Sequence, residues 1–213
     1  MLAALIVSNT MGFNDYLSRQ FGRPTGLGGR VVAAVMSRQN RPLYEKTLRL
    51  LAAGDTDLVL DIGCGNGFVL ALLAERVKAG LAGIDLSDGM VRATARRCRG
   101  LVSEGRLTVE RGDAAHLPFP DGSFTKAYSI NTVYFWPEVD AAMTEIRRAL
   151  QPDGVFVNAL YSNEFLASRS HTKTGYRLHD PAALIASASG AGFEVERVPL
   201  LGGVGYGLVC RVV

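Results

Sequence analysis

LVLDIGCGNGFVL, residues Leu58 to Leu70, decides the fold. Leu58 to Ile62 is an apolar run of strand length interrupted only by Asp61, and helical spacing takes over after Gly67. Between them lie Gly63, Cys64, Gly65, Asn66 and Gly67, a GxGxG loop whose missing side chains let backbone approach a bound group closely. A glycine loop at a strand-to-helix joint suggests a nucleotide-like ligand, and the next segments strengthen that reading. Leu81 to Asp85 is a second apolar strand ending in an acid. Leu107 to Glu110 alternates as a third, followed by Gly112, Asp113 and Ala114. Strand ends of this kind in succession form a binding edge.

The chain has 213 residues, of which 48% are hydrophobic, enough for one substantial core and a peripheral cap. Lys and Arg number 23 against 20 Asp and Glu, and the resulting +3 is too small and dispersed to mark a nucleic-acid surface. No nucleic-acid partner is expected. Cys64, Cys98 and Cys210 are far apart and form no CxxC pair, so neither a disulfide framework nor a zinc site is indicated, and a reducing cytoplasm fits. Met1 to Val7 is apolar but lacks a basic leader and a small-residue cleavage pattern, which makes a poor signal peptide. No run approaches the roughly 20 apolar residues of a membrane span, so no membrane insertion is expected. Met11 is a candidate second start, which would leave residues 1–10 as an appendage.

The alternation of strand and helix periods predicts an α/β, Rossmann-like sheet with covering helices. The first helix is expected from about Gly67 to Val77, with Phe68, Leu72 and Leu73 on its apolar side. Ser87 or Asp88 caps the next, which carries Met90, Val91 and Ala95 inward and ends in Arg96, Arg97 and Arg99, read as a solvated face. A turn through His116, Pro118, Pro120, Asp121 and Gly122 leads into strand Phe124 to Ile130. Pro137 suits a first helical position, and Val139, Met143, Ile146 and Leu150 form a stripe for the sheet. Gln151 to Gly154 reads as a turn into Val155 to Leu160. Asp180 and Pro181 start a further helix, and Phe193 to Val198 with Gly205 to Val212 read as a closing antiparallel pair. The predicted organisation is a helical cap over residues 1–53 and a core over 54–213 with a lid insertion at about 162–180.

Five segments stand in order: VLDIGCGNG, GIDLSDGMV, ERGDAAHLPFPDGSF, the strand ending in Asn131, and RALQPDGVF. On these the chain resembles the class I S-adenosylmethionine (SAM)-dependent methyltransferases, in particular the small-molecule branch called methyltransferase type 11, over roughly Asp57 to Leu160. The resemblance implies a seven-stranded mixed sheet with the last strand antiparallel, and SAM as cofactor with S-adenosylhomocysteine as product. It further implies that Gly63 and Gly65 pass under the methionine portion, that Asp61 holds the loop and the amino group, and that Asp85 accepts the ribose hydroxyls. Leu86 and Met90 would flank the adenine, Asp113 and the Ala114 amide would read its edge, and Asn131 would face the sulfonium. A nicotinamide dinucleotide fits less well, because Phe68 stands where the GxGxxG fingerprint needs its third glycine.

A sulfonium methyl is already electrophilic, so the protein has to align a nucleophile and exclude water, and no metal is expected. Asn131, Thr132, Val133 and Tyr134 share only their outer residues with the NPPY motif of amino methyltransferases, and Tyr134 and Phe135 stand where paired histidines are frequent. His171 in the lid is the general-base candidate, with Tyr134 and Tyr16 as substrate orienters. The expected function is methyl transfer to O, N or C of a small molecule. The alternatives are a non-catalytic SAM-binding regulator or partner-activated subunit, and a protein or nucleic-acid methyltransferase. Oligomeric state stays open, a homodimer included.

Overall fold

The computed structural model describes residues 38–169 and 176–213. In chain order the elements are α1 (Arg41–Leu51), β1 (Leu58–Ile62), α2 (Phe68–Leu73), β2 (Gly80–Asp85), α3 (Asp88–Arg97), α4 (Arg99–Ser103) and β3 (Leu107–Arg111). They continue with β4 (Phe124–Ile130), α5 (Val139–Ala149), β5 (Leu150–Tyr161), α6 (Asn163–Ala167), α7 (Pro181–Gly190), β6 (Phe193–Leu200) and β7 (Gly205–Val212). A 3₁₀ turn, Val133–Phe135, joins β4 to α5. The strands form one seven-stranded sheet in the order β3-β2-β1-β4-β5-β7-β6. It is parallel through β5, and β7 runs antiparallel to both of its neighbours. This is the expected mixed Rossmann-like sheet.

The order carries a functional consequence. From β1 the chain builds outward through β2 and β3, then returns to place β4 on the other side of β1. The crossovers therefore diverge above the carboxyl ends of β1 and β4, which opens a crevice where α/β sheets take their ligands.

Side chains alternate between two covered faces. Leu60, Ile62, Ala82, Ile84, Phe156 and Leu160 pack with Met143 and Ile146 of α5 and Leu184 of α7. Val59, Leu81, Tyr128 and Val157 face the other way, against Leu48 and Leu51 of α1 and Leu70 and Leu73 of α2. α1 repeats its apolar positions at helical spacing and buries Leu43, Thr47, Leu48 and Leu51. Its end is tied down by the Lys126 ammonium, which donates to the Leu51 and Ala52 carbonyls at 2.8 Å each and pairs with Asp57 at 3.7 Å.

Four local expectations need correction. α2 is shorter than the pattern suggested, and its buried side is Val69, Leu70 and Leu73. Phe68 turns toward the cleft instead, its ring 5.9 Å from Tyr44. In α3 the inward polar residue is Thr94, buried beside Met90, while Val91 and Ala95 are only half-buried. Pro137 precedes the cap residue Glu138, so α5 starts at Val139, and Leu150 belongs to β5. Gln151 to Gly154 is not a separate turn but an irregularity inside β5, where the pairing with β4 shifts between Phe124 and Lys126. Asp153 sits there at φ 62°, a conformation that an aspartate tolerates better than most side chains.

Candidate functional site

The glycine loop is held from outside its own strand. The Gly63 and Cys64 amides both donate to the Ile84 carbonyl, at 2.8 and 2.9 Å, which locks the end of β1 to the end of β2. The Gly65 amide donates to one Asp85 oxygen at 3.0 Å and the Ser87 amide to the other at 2.8 Å. From α3, the Thr94 hydroxyl donates to Gly65 O at 2.9 Å and Arg97 Nε to Asn66 O at 2.8 Å, with the Arg97 guanidinium 5.7 Å above the Phe68 ring. Arg97 is thus a strap on the loop, where the sequence suggested only a solvated arginine face.

Gly63, Gly65 and Gly67 all lie in the left-handed region, at φ 80°, 55° and 72°. They differ in what surrounds them. A Cβ on Gly63 would run into Thr132, and one on Gly67 would meet Thr94 at 2.8 Å, but one on Gly65 would meet nothing within 4 Å. Gly63 and Gly67 serve packing between elements, and only Gly65 leaves room for a guest. Gly63→Ala is expected to destabilise the fold by about 2 to 4 kcal/mol, the sum of left-handed strain and overpacking. Adding Thr132→Ala should recover part of that loss in chemical denaturation. A single variant as stable as the parent would show that the loop relaxes freely.

Asp61 is 3% exposed and accepts a 2.7 Å hydrogen bond from the Tyr128 hydroxyl, its register partner on β4. Among the described residues the direct hydrogen bonds that hold the loop come from Ile84, Asp85, Thr94 and Arg97, while Asp61 bonds Tyr128. Burial pushes the Asp61 carboxyl up to about 7, with the Asp85 charge adding to the rise and the Tyr128 bond opposing it. Burial also raises Asp85, against the two amides that favour its ionised form. The Cys64 thiol lies well above its ordinary range, chiefly through burial and then through both carboxylates, so it is a neutral packing group and not a nucleophile.

One cleft gathers Asp61, Gly63, Gly65, Asp85, Leu86 and Met90, together with Asp113, Ala114 and Asn131. Asp113 Oδ1 accepts the Ala115 amide at 3.0 Å. Its loop is pinned to α5, because Arg148 donates to the Leu117 and Phe119 carbonyls and to Asp121, while Glu145 accepts the Leu117 amide at 2.9 Å. Tyr134 does not reach the cleft. It is 1% exposed, its hydroxyl donates to Tyr161 O at 3.0 Å, and its ring packs 5.4 Å from Tyr176. Burial drives its hydroxyl further from ionisation, so the expected orienting role is corrected to a core one. The 3₁₀ turn rotates Phe135 and Trp136 to the cleft wall in its place. Tyr16 and His171 lie outside the described residues. Asn40, at the amino end of α1, and Tyr44 also line the cleft, and neither carried a sequence signal.

The fold and site together define a class: a Rossmann-like sheet with a crevice at the switch point, lined by the buried Asp61, the half-buried Asp85 and a glycine loop. Residues 60–158 match the family described as "Methyltransferase domain". The chain is 39% identical over 118 residues to nocamycin O-methyltransferase of Saccharothrix syringae, a match covering 54% of this chain and 41% of that one. It is 28% identical over 165 residues to the uncharacterized methyltransferase YdaC of Bacillus subtilis, covering 77% of this chain and 86% of that one. A SAM-dependent methyltransferase from Aquifex aeolicus superposes with TM-score 0.69 at 21% identity, over 83% of this chain and 93% of that one. The chain contains a methyltransferase domain at residues 60–158, and SAM is the cofactor that goes with it. It spans less than half the length of the nocamycin relative.

The cleft suits that cofactor by its own chemistry. A buried and a half-buried carboxyl, Asp61 and Asp85, line a space where a cation would favour their ionised forms, and the vacant Cβ direction of Gly65 gives backbone access.

Proposed function

We propose that this protein transfers a methyl group to a small-molecule acceptor. The observation that carries the reading is the convergence of Gly65, Asp85, Asp113 and Asn131, from the ends of four strands, on one crevice. Bound SAM supplies an electrophilic methyl, and the residues have to place it and keep water away. In this reading Asp85 accepts the ribose hydroxyls with the lone pairs that Gly65 and Ser87 leave over, and Asp113 with the Ala114 amide reads the adenine edge between Leu86 and Met90. Asp61 balances the positive end of the cofactor. Phe135 and Trp136 form the apolar wall where an acceptor docks, and Tyr16 and His171 are proposed to join it from segments 1–53 and 162–180.

The nocamycin relative, named as an O-methyltransferase, supports a small-molecule acceptor. Three buried, unpaired thiols support a reducing, cytoplasmic setting. No helix among the described residues is long and apolar enough to cross a membrane. The test is S-adenosylhomocysteine formation against a metabolite panel of acids, phenols, amines and activated carbons. Product with one class and none from SAM alone is the expected result; cofactor binding without turnover on any acceptor would favour a regulator.

A further inference from the structure

Three carboxamides line the cleft, those of Asn40, Asn66 and Asn131, and a single residue orients the first and the last. Asn131 ends β4 at φ 59°, and its Oδ1 accepts the Tyr161 backbone amide at 3.3 Å. A backbone N–H can only donate, so this bond fixes which end of the Asn131 amide is oxygen. Tyr161 also donates its hydroxyl to Asn40 Oδ1 at 2.9 Å. Asn40 occupies the cap position of α1 without capping it; its 8% exposed side chain is spent on Tyr161 instead. Each oxygen is thereby turned toward Tyr161, and among the described residues no protein acceptor takes either Nδ2. The polar part of this wall offers hydrogen-bond donors, beside the apolar faces of Phe135 and Trp136.

We propose that Asn131 and Asn40 bind an acceptor oxyanion through their carboxamide N–H groups, and that the acceptor is a carboxylic acid with an apolar body, converted to its methyl ester. The inference rests on the methyl-transfer reading above. An asparagine that orients an amino group must present its oxygen to it, and here the Asn131 oxygen is turned toward the Tyr161 amide. A carboxylate is already ionised at neutral pH, so its oxygen attacks with a lone pair in hand. The new C–O bond forms as the methyl–sulfur bond breaks, that bond's pair goes to sulfur, and the carboxylate and sulfonium charges cancel. No proton is released and no base is needed, which agrees with Tyr134 being withdrawn into the core.

The test measures binding in two stages. Titration of the full chain with S-adenosylhomocysteine comes first; failure there overturns the methyltransferase reading itself. The product-loaded protein is then titrated with benzoate and with benzylamine, which share a ring and differ in the polar group. Benzoate is expected to bind about tenfold tighter or better, and Asn131→Asp, which keeps an oxygen for the Tyr161 amide but presents a second one to the cleft, should reverse the order. Asn40→Asp should weaken benzoate in the same direction. Benzylamine binding as well as benzoate to the parent, or no benzoate binding at 10 mM in product-loaded protein, would overturn the proposal while leaving methyl transfer standing.

Discussion

Asp85→Ala is expected to weaken SAM binding by about 2 to 4 kcal/mol, roughly 30- to 1000-fold, as read by calorimetry. Two losses combine in that figure. The ribose hydroxyls lose a charged acceptor, and the Gly65 and Ser87 amides, now held at 3.0 and 2.8 Å, lose the group that fixes the loop and the start of α3. Asp85→Asn separates the two effects, because it keeps one acceptor oxygen for the backbone but turns the other position into a donor. It should fall between the parent and the alanine variant. An alanine variant with unchanged affinity would remove Asp85 from the site.

Asp61→Asn is expected to move stability and binding in opposite directions. The folded carboxyl holds its proton up to about pH 7, while in the unfolded chain it ionises near its ordinary value of 3.8. A raised acid stabilises the fold below the unfolded pKa, and that contribution is lost as pH rises through the folded one. The cofactor-free parent should therefore lose stability between about pH 4 and 7 through this group. The asparagine variant lacks that slope and should be more stable than the parent at pH 8 by about 2 kcal/mol in denaturant titration. Cofactor binding reverses the preference, since a cationic ligand favours the ionised carboxylate. Parent affinity for SAM should rise from pH 5.5 to 7.5, whereas the variant should show a flatter profile and bind about tenfold or more weakly at pH 7.5. Parallel pH profiles for the two proteins would exclude Asp61 as the titrating group.

The parts of this molecule that repeat a simple period were legible in the chain. β1 and β2 are largely apolar runs of strand length, and the closing pair is flagged by Gly202 and Gly203 between two alternating segments. The class of the site was legible too, because glycines and acids stand at successive strand ends. What escaped was set by tertiary neighbours. Why Gly63 must be glycine depends on Thr132 across the sheet, and why Gly67 must be depends on Thr94 of α3. Tyr134 and Phe135 are adjacent aromatic residues, and nothing in their order tells which one a 3₁₀ turn will bury. Asn40 gave no pattern at all; its place in the cleft comes from Tyr161, far along the chain. Pro137 met a local rule for helix starts, yet α5 begins two residues later, within the margin by which such boundaries vary.

SAM is expected to bind in the crevice between β1, β2 and β4. Calorimetric titration of the folded protein with SAM tests it most directly. Saturable binding well below millimolar concentration, abolished or strongly weakened by Asp85→Ala, is the predicted result; folded protein that shows no heat of binding up to 1 mM would contradict it.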